Sequence, residues 1–158
     1  MVTSQPAGPA RAARRAGVDG QAGVAGQDGL VDALAQAAFM TMAVLNKAAA
    51  DNDLSLTQLR VLAILRDRRL RITALAGYLG LEKSTMSGLV DRAEKRGLLE
   101  RAPSAGDGRA VDVFLSPAGT ELAERLQARV ERALHPVTSK LTPAEQRRLQ
   151  ALLERMLT

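Results

Sequence analysis

Beyond residue 29 the chain is patterned almost throughout at helical spacing. Leu30, Leu34, Ala37/Ala38, Thr41, Val44/Leu45 and Ala48 recur every three or four positions and predict a helix over 30–50, ending near Asp51-Asn52. In "LSLTQL", Ser55 is the expected N-cap, Gln58 its capping-box partner, and Leu54 with Leu59 a hydrophobic staple, which places a second helix at about 56–68. After "DRRLR" a helix of about two turns begins at Ile72. Leu75, Ala76 and Leu79 form its buried face, Thr73 is the candidate cap and Gly80 the closing residue. A fourth helix follows over 83–96. Met86, Leu89, Val90 and Ala93 form its inner face; Ser84, Ser87, Gly88, Asp91 and Lys95 then point outward. Lys95 and Arg96 suit its C-terminal dipole, and Gly97 is placed to stop it in the left-handed conformation.

The period then changes. "LLER" and "VDVFL" alternate apolar and polar residues around the turn formers "APSAGDGR", which predicts a β-hairpin with 102–109 as its loop. Ser116-Pro117 opens a further helix, with Leu122, Leu126, Val130 and Leu134 in one stripe up to Pro136. "TPAE" opens the last: Thr142 as N-cap, Pro143 in the first turn, Glu145 closing a capping box, and Leu149, Leu152, Leu153 and Met156 as the apolar face. Residues 1–28 are Ala, Gly, Pro and Arg with almost no large apolar side chain. They are expected to form a flexible tail, its arginines solvated. No internal repeat is present.

Composition narrows the chemistry. Among 158 residues there are three aromatics, Phe39, Tyr78 and Phe114, so the core rests on Leu, Ala, Val and Met, which favours a mainly α fold. The absence of cysteine excludes disulfides, thiolate metal sites and thiol redox sensing, and the single histidine, His135, excludes a histidine-rich metal site. His135 itself reads as a helix-end or surface residue, and no cofactor is expected. The formal charge is +5 and it is unevenly spread: 57–115 holds eleven Lys/Arg against seven Asp/Glu, while 30–56 holds one against three. The positive middle is where a polyanion would dock. The longest apolar run, "ALAQAAFMTMAVL", is 13 residues and is interrupted by Gln36 and Thr41, so no membrane partner is expected. Arg14-Arg15 lacks the hydrophobic segment of an export signal, and the reading is cytoplasmic. No nucleophile–base pairing, phosphate-binding glycine loop or histidine cluster suggests an enzyme.

A short helix, a tight turn, an amphipathic helix and a basic hairpin, in that order, define a winged helix-turn-helix. Small hydroxyl side chains at a helix N-terminus allow close approach to a duplex, and the N–H groups there favour phosphate. Lys83, Ser84, Thr85, Ser87 and Gly88 are the candidate groove residues and Arg92 the candidate phosphate contact. Arg109, at the hairpin tip, is the candidate minor-groove probe, with Asp107 two residues away to orient it.

On these residues the chain resembles the multiple-antibiotic-resistance regulator (MarR) family. "LTQLRVLAIL", "ITALAGYLGLEKSTMSGLVDRAEKRGLLER" and the wing "DGR…VFLSPAG" follow the family pattern in order and spacing over residues 59–126, and the acidic-then-arginine wing motif falls on Asp107 and Arg109. The resemblance implies one domain over 29–158. Within it 55–116 would be the DNA-binding lobe, with 30–50 and 117–158 supplying the helices of an obligate homodimer. Two recognition helices would meet a palindromic double-stranded operator, with half-sites about 34 Å apart. It also implies a repressor whose DNA affinity falls when a small lipophilic or phenolic effector binds between the dimerisation helices and the lobe. Met40 and Met42 are soft residues for such a pocket, although methionines on a helix usually serve the core. Two departures stand out. Gly88 occupies a position where relatives carry a larger, base-reading side chain, and the missing cysteine excludes the peroxide-sensing branch. The competing reading keeps the fold but makes it a protein-interaction module.

Overall fold

Leu, Ala and Met dominate the apolar positions, and helices dominate the computed structural model, which describes residues 19–104 and 107–157 except for the side chains of 19–28 and 107–109. In chain order the elements are α1 (Asp19–Ala50), α2 (Leu56–Leu65), β1 (Leu70–Arg71), α3 (Ile72–Leu79), α4 (Lys83–Lys95), β2 (Leu99–Ser104), β3 (Asp107–Leu115), α5 (Pro117–Thr138) and α6 (Pro143–Leu157). The strands form one antiparallel sheet in the order β1-β3-β2. The result is a mainly α chain carrying a small winged sheet. The chain up to Met40 and the chain from Thr41 onward are separate compact units.

In the first unit, α1 begins at Asp19, so residues 19–28 are helical where a flexible tail was expected. Once a helix is nucleated each added residue gains a hydrogen bond, and the alanines here offset glycines that composition alone reads as breakers. The tail arginines Arg11, Arg14 and Arg15 lie outside the described residues. Leu30, Val31, Leu34, Phe39 and Met40 are all exposed. The stretch Gly29–Ala50 is 22 residues long and apolar enough to cross a membrane by length and composition. Counting uninterrupted apolar runs missed this, because alanines carry the hydropathy across Gln36 and Thr41.

The second unit holds the core. Leu75, Met86, Val90, Val113 and Leu99 are its most completely buried large side chains, contributed by α3, α4, β3 and β2, and Ala48 and Ala49 close it from the end of α1. The Ser55 capping box forms as read: the Ser55 hydroxyl accepts from the Gln58 N–H at 3.1 Å and the Gln58 side chain accepts from the Ser55 N–H at 2.8 Å. The Thr142–Glu145 box forms as well. Helix α2 stops at Leu65, three residues early, because the chain must extend into β1, whose Leu70 and Arg71 pair with Val113 and Asp112. A two-residue strand leaves no periodic signal, and it was not anticipated. It also displaces the expected Thr73 cap: Arg71 holds the N-cap position of α3 and makes no side-chain cap bond.

Helix α5 continues through Pro136 to Thr138 rather than ending before the proline. In the last turn the missing N–H leaves only one helical bond unmade. His135 is exposed, and its carbonyl accepts from Ser139 at 2.8 Å. An ion pair joins Arg129 of α5 to Asp51 at the end of α1, with Lys47 3.5 Å from the same carboxyl. The Arg129 hydrogen bond, with Lys47 adding its field, holds the Asp51 carboxyl below its ordinary value of 3.8. A lowered acid contributes stability above its unfolded value and loses it as pH falls through the folded one. The stability difference between wild type and Asp51→Asn is therefore expected to persist at neutral pH and to close below pH 3.8 in urea titrations. A difference unchanged at pH 3 would mean that the pair contributes nothing.

Candidate nucleic-acid interface

Helix α4 owes its place to two glycines. Gly80, at φ 63°, turns α3 into the connection, and Gly97, at φ 69°, ends α4. Both are left-handed positions that glycine occupies without the Cβ penalty. Between them Met86, Val90 and Ala93 are buried and Leu89 is partly buried, which fixes the rotation of the helix. Lys83, Ser84, Thr85 and Arg92 are then exposed, while Ser87 and Gly88, expected to point outward, are half-buried.

The first turn of α4 is open to a ligand. Its N-cap is Glu82, which makes no side-chain cap bond, so Ser84 and Thr85 do not serve as caps. The hydroxyls of Ser84, Thr85 and Ser87 make no hydrogen bond among the described residues. Unpaired donors at a helix N-terminus, between the exposed Glu82 carboxylate and the Lys83 ammonium, form a polar surface whose N–H groups suit an anion. Gly88 shapes the same surface: a Cβ there would meet only the Arg92 Nη1, at 3.5 Å, so the guanidinium lies back over the glycine.

Two arginines hold the helix in place through contacts that helical spacing does not reveal. Arg101 on β2 donates to Asp91 Oδ1 at 2.5 Å and to Glu94 Oε2 at 2.7 Å, clamping the hairpin to α4 and offsetting one of the two negative charges on that helix face. Lys83, Arg92 and Lys95 have no ion pair among the described residues, so α4 with Arg101 carries a net positive charge. Carboxylates at i and i+3 with an arginine on the next strand are the sequence signal of this clamp, which outward-facing spacing at Asp91 alone does not give. Arg96 donates to the carbonyls of Asp53, at 2.7 Å, and Asn52, at 3.2 Å, instead of merely complementing its own helix dipole. That contact steadies Asp53, which holds φ 53° without being glycine.

The hairpin is longer than its turn chemistry suggested. Strand β2 runs to Ser104 and β3 starts at Asp107, inside the expected loop. Pro103 pairs with Val111 but Ser104 with Asp107, so residues 108–110, including Arg109, are taken up by an irregularity near the tip. The side chains of Asp107 and Arg109, and any contact between them, lie outside the described residues. At the base of the sheet Arg69 stacks 3.9 Å above the Phe114 ring.

A helix-turn-helix with an open N-terminal turn, followed by a hairpin clamped to it, is the architecture of a winged-helix DNA-binding transcription regulator. The "MarR family" model matches residues 52–110, the core of this site. The multiple antibiotic resistance protein MarR of Salmonella typhimurium is 30% identical over 116 residues, covering 72% of this chain and 81% of that protein. The chain belongs to the MarR family of transcription regulators, which are not enzymes. The HTH-type transcriptional repressor IacR of Pseudomonas putida is 31% identical over 103 residues, 65% of this chain but 62% of its own length. A mutant MarR from E. coli, solved in complex with operator DNA, shares the fold with TM-score 0.62 at 24% identity, over 82% of this chain and 94% of its own.

Proposed function

We propose that the protein is a homodimeric repressor that reads a palindromic operator with Lys83, Ser84, Thr85, Ser87 and Gly88, holds backbone phosphate with Arg92, and probes the minor groove with Arg109 beside Asp107. The observation that carries this reading is the uncapped first turn of α4, whose hydroxyls have no other partner among the described residues. Domain limits follow: 55–116 is the DNA-binding lobe, and 30–50 with 117–158 form the dimerisation region. Support for a dimer comes from helices that expose apolar faces, Leu30, Val31, Leu34 and Phe39 on α1 and Leu149, Leu152, Leu153 and Met156 on α6. With chromosomal DNA as its partner, the protein works in the cytoplasm.

Selection from a random DNA pool is expected to recover inverted repeats whose half-site centres lie about one helical turn, ~34 Å, apart. Binding should weaken with salt along a log-log slope of about −0.9 per phosphate contact. Recovery of no common sequence, with a flat salt response, would support the protein-interaction reading instead. Arg109→Ala is expected to cost about tenfold to hundredfold in operator affinity, the usual ~1–3 kcal/mol of a groove contact. Arg101→Met uncovers Asp91 and Glu94 beside the DNA, and should weaken binding at least about tenfold at low salt while changing stability by about 1 kcal/mol or less. Electrophoretic shift titrations at two salt concentrations check both.

An effector site is supported by an apolar cavity of about 200 Å³ where Leu45 of α1, Leu59 and Leu62 of α2 and Ala123, Leu126 and Val130 of α5 converge, with Arg66, Gln127 and Glu131 as its polar lining. A small lipophilic or phenolic molecule fits such a lining, its polar end toward Arg66. If it prefers the non-binding spacing of the recognition helices, it lowers operator affinity in proportion to that preference. A panel of aromatic acids is expected to contain compounds that raise the melting temperature and weaken operator binding together.

A further inference from the structure

A second concavity lies on the other side of Leu126, about 320 Å³ in volume, lined by Asn52, Arg125, Ala128, Arg129 and Arg132. It differs in kind from the apolar cavity. Arg125, Arg129 and Arg132 stand at i, i+4 and i+7 on α5, so their guanidiniums project from one face of the helix. Arg129 is fixed by its ion pair with Asp51, which Lys47 shares at 3.5 Å. Arg125 is held only loosely, 3.7 Å from Glu121. Arg132 has no hydrogen bond or ion pair among the described residues. The lining therefore carries three arginines and no carboxylate; Asp51, which Arg129 shares with Lys47, and Glu121, 3.7 Å from Arg125, stand outside it, and the pocket is positive.

We propose that this pocket binds a small dianion, of the dicarboxylate or phosphate class. Arg132, unpaired among the described residues, and Arg125, held only by its exposed pair with Glu121, supply guanidinium forks for its oxygens, a geometry suited to bidentate capture of carboxylate or phosphate. Arg129, immobilised by Asp51, forms a rigid wall, and Leu126 with Ala128 gives an apolar floor that lowers the local dielectric. The Asn52 amide donates to the Ala48 carbonyl at 2.9 Å, which holds that end of the pocket in shape before a ligand arrives. A monoanion would offset less of this positive charge than a dianion does. The proposal concerns binding alone and does not depend on DNA recognition.

Isothermal titration of the full-length protein with succinate and with inorganic phosphate, at constant ionic strength set with sodium chloride, tests it; acetate is the monoanion control. At least one dianion should give saturable heat, and acetate should bind at least tenfold more weakly. In Arg132→Ala and in Arg125→Ala the affinity should fall at least tenfold, with the melting temperature of the unliganded protein unchanged and Arg132→Lys restoring part of the loss. Succinate without phosphate assigns the site to dicarboxylates, and phosphate without succinate assigns it to phosphates. Absence of saturable binding by either dianion, equal binding of acetate, or wild-type affinity in both alanine variants overturns the proposal.

Discussion

Gly119→Ala is expected to leave little folded protein, although glycine-to-alanine in a helix ordinarily stabilises by about 1 kcal/mol. A Cβ at 119 would stand 2.0 Å from the Leu98 carbonyl oxygen and 2.9 Å from its carbon. Both are backbone atoms at the junction of α4 and β2, with no flexible end to swing aside. The loss should exceed the about 1–3 kcal/mol of ordinary overpacking, out of a total of about 5–15 kcal/mol for a typical domain. Gly88→Ala supplies the internal control, since its new methyl meets only Arg92 Nη1 at 3.5 Å. The same chemical change in two helices should therefore shift the urea midpoint in opposite directions. A Gly119→Ala protein as stable as wild type would show that α5 does not seat on Leu98.

The second large effect is expected at Thr85. Replacement by glutamate puts a carboxylate on the exposed first turn of α4, against phosphates if this turn enters the groove. Operator affinity should fall by about a hundredfold or more, the ~3 kcal/mol scale of a lost favourable contact combined with like-charge repulsion. Stability should move by no more than about 0.5 kcal/mol, because Thr85 is exposed and makes no hydrogen bond that folding needs. Fluorescence anisotropy on the selected DNA, with thermal melting beside it, separates the two quantities. Unchanged affinity would place the DNA surface elsewhere on the molecule.

Much of this architecture was legible from residue order. Spacing at Met86, Val90 and Ala93 set the rotation of α4, and the Ser55–Gln58 pair announced its capping box, because both are local effects in which neighbours a turn apart decide the outcome. What escaped was non-local. Arg101 reaches ten residues back to Asp91, Arg96 reaches more than forty residues back to Asn52 and Asp53, and β1 exists only because β3 returns beside it. Gly119 looks like an ordinary helical glycine until the Leu98 carbonyl is seen to fill the space where its side chain would be. The start of α1 was misplaced for the opposite reason: composition argued for a tail where helix continuity prevails.

The seat of α5 has a mechanical side. The Ser116 hydroxyl donates to the Gly97 carbonyl at 2.5 Å and accepts from the Gly119 N–H at 2.9 Å, while the Ser116 N–H donates to the Leu98 carbonyl at 3.1 Å. With no side chain between Gly119 and Leu98, there is no compliant layer at this joint. Helix α5, 22 residues long, is therefore a rigid lever of about 33 Å whose first turn is tied to the end of α4. A swing of roughly 6° at that pivot carries its far end through about 3.5 Å, enough to exchange one set of packing contacts for the next.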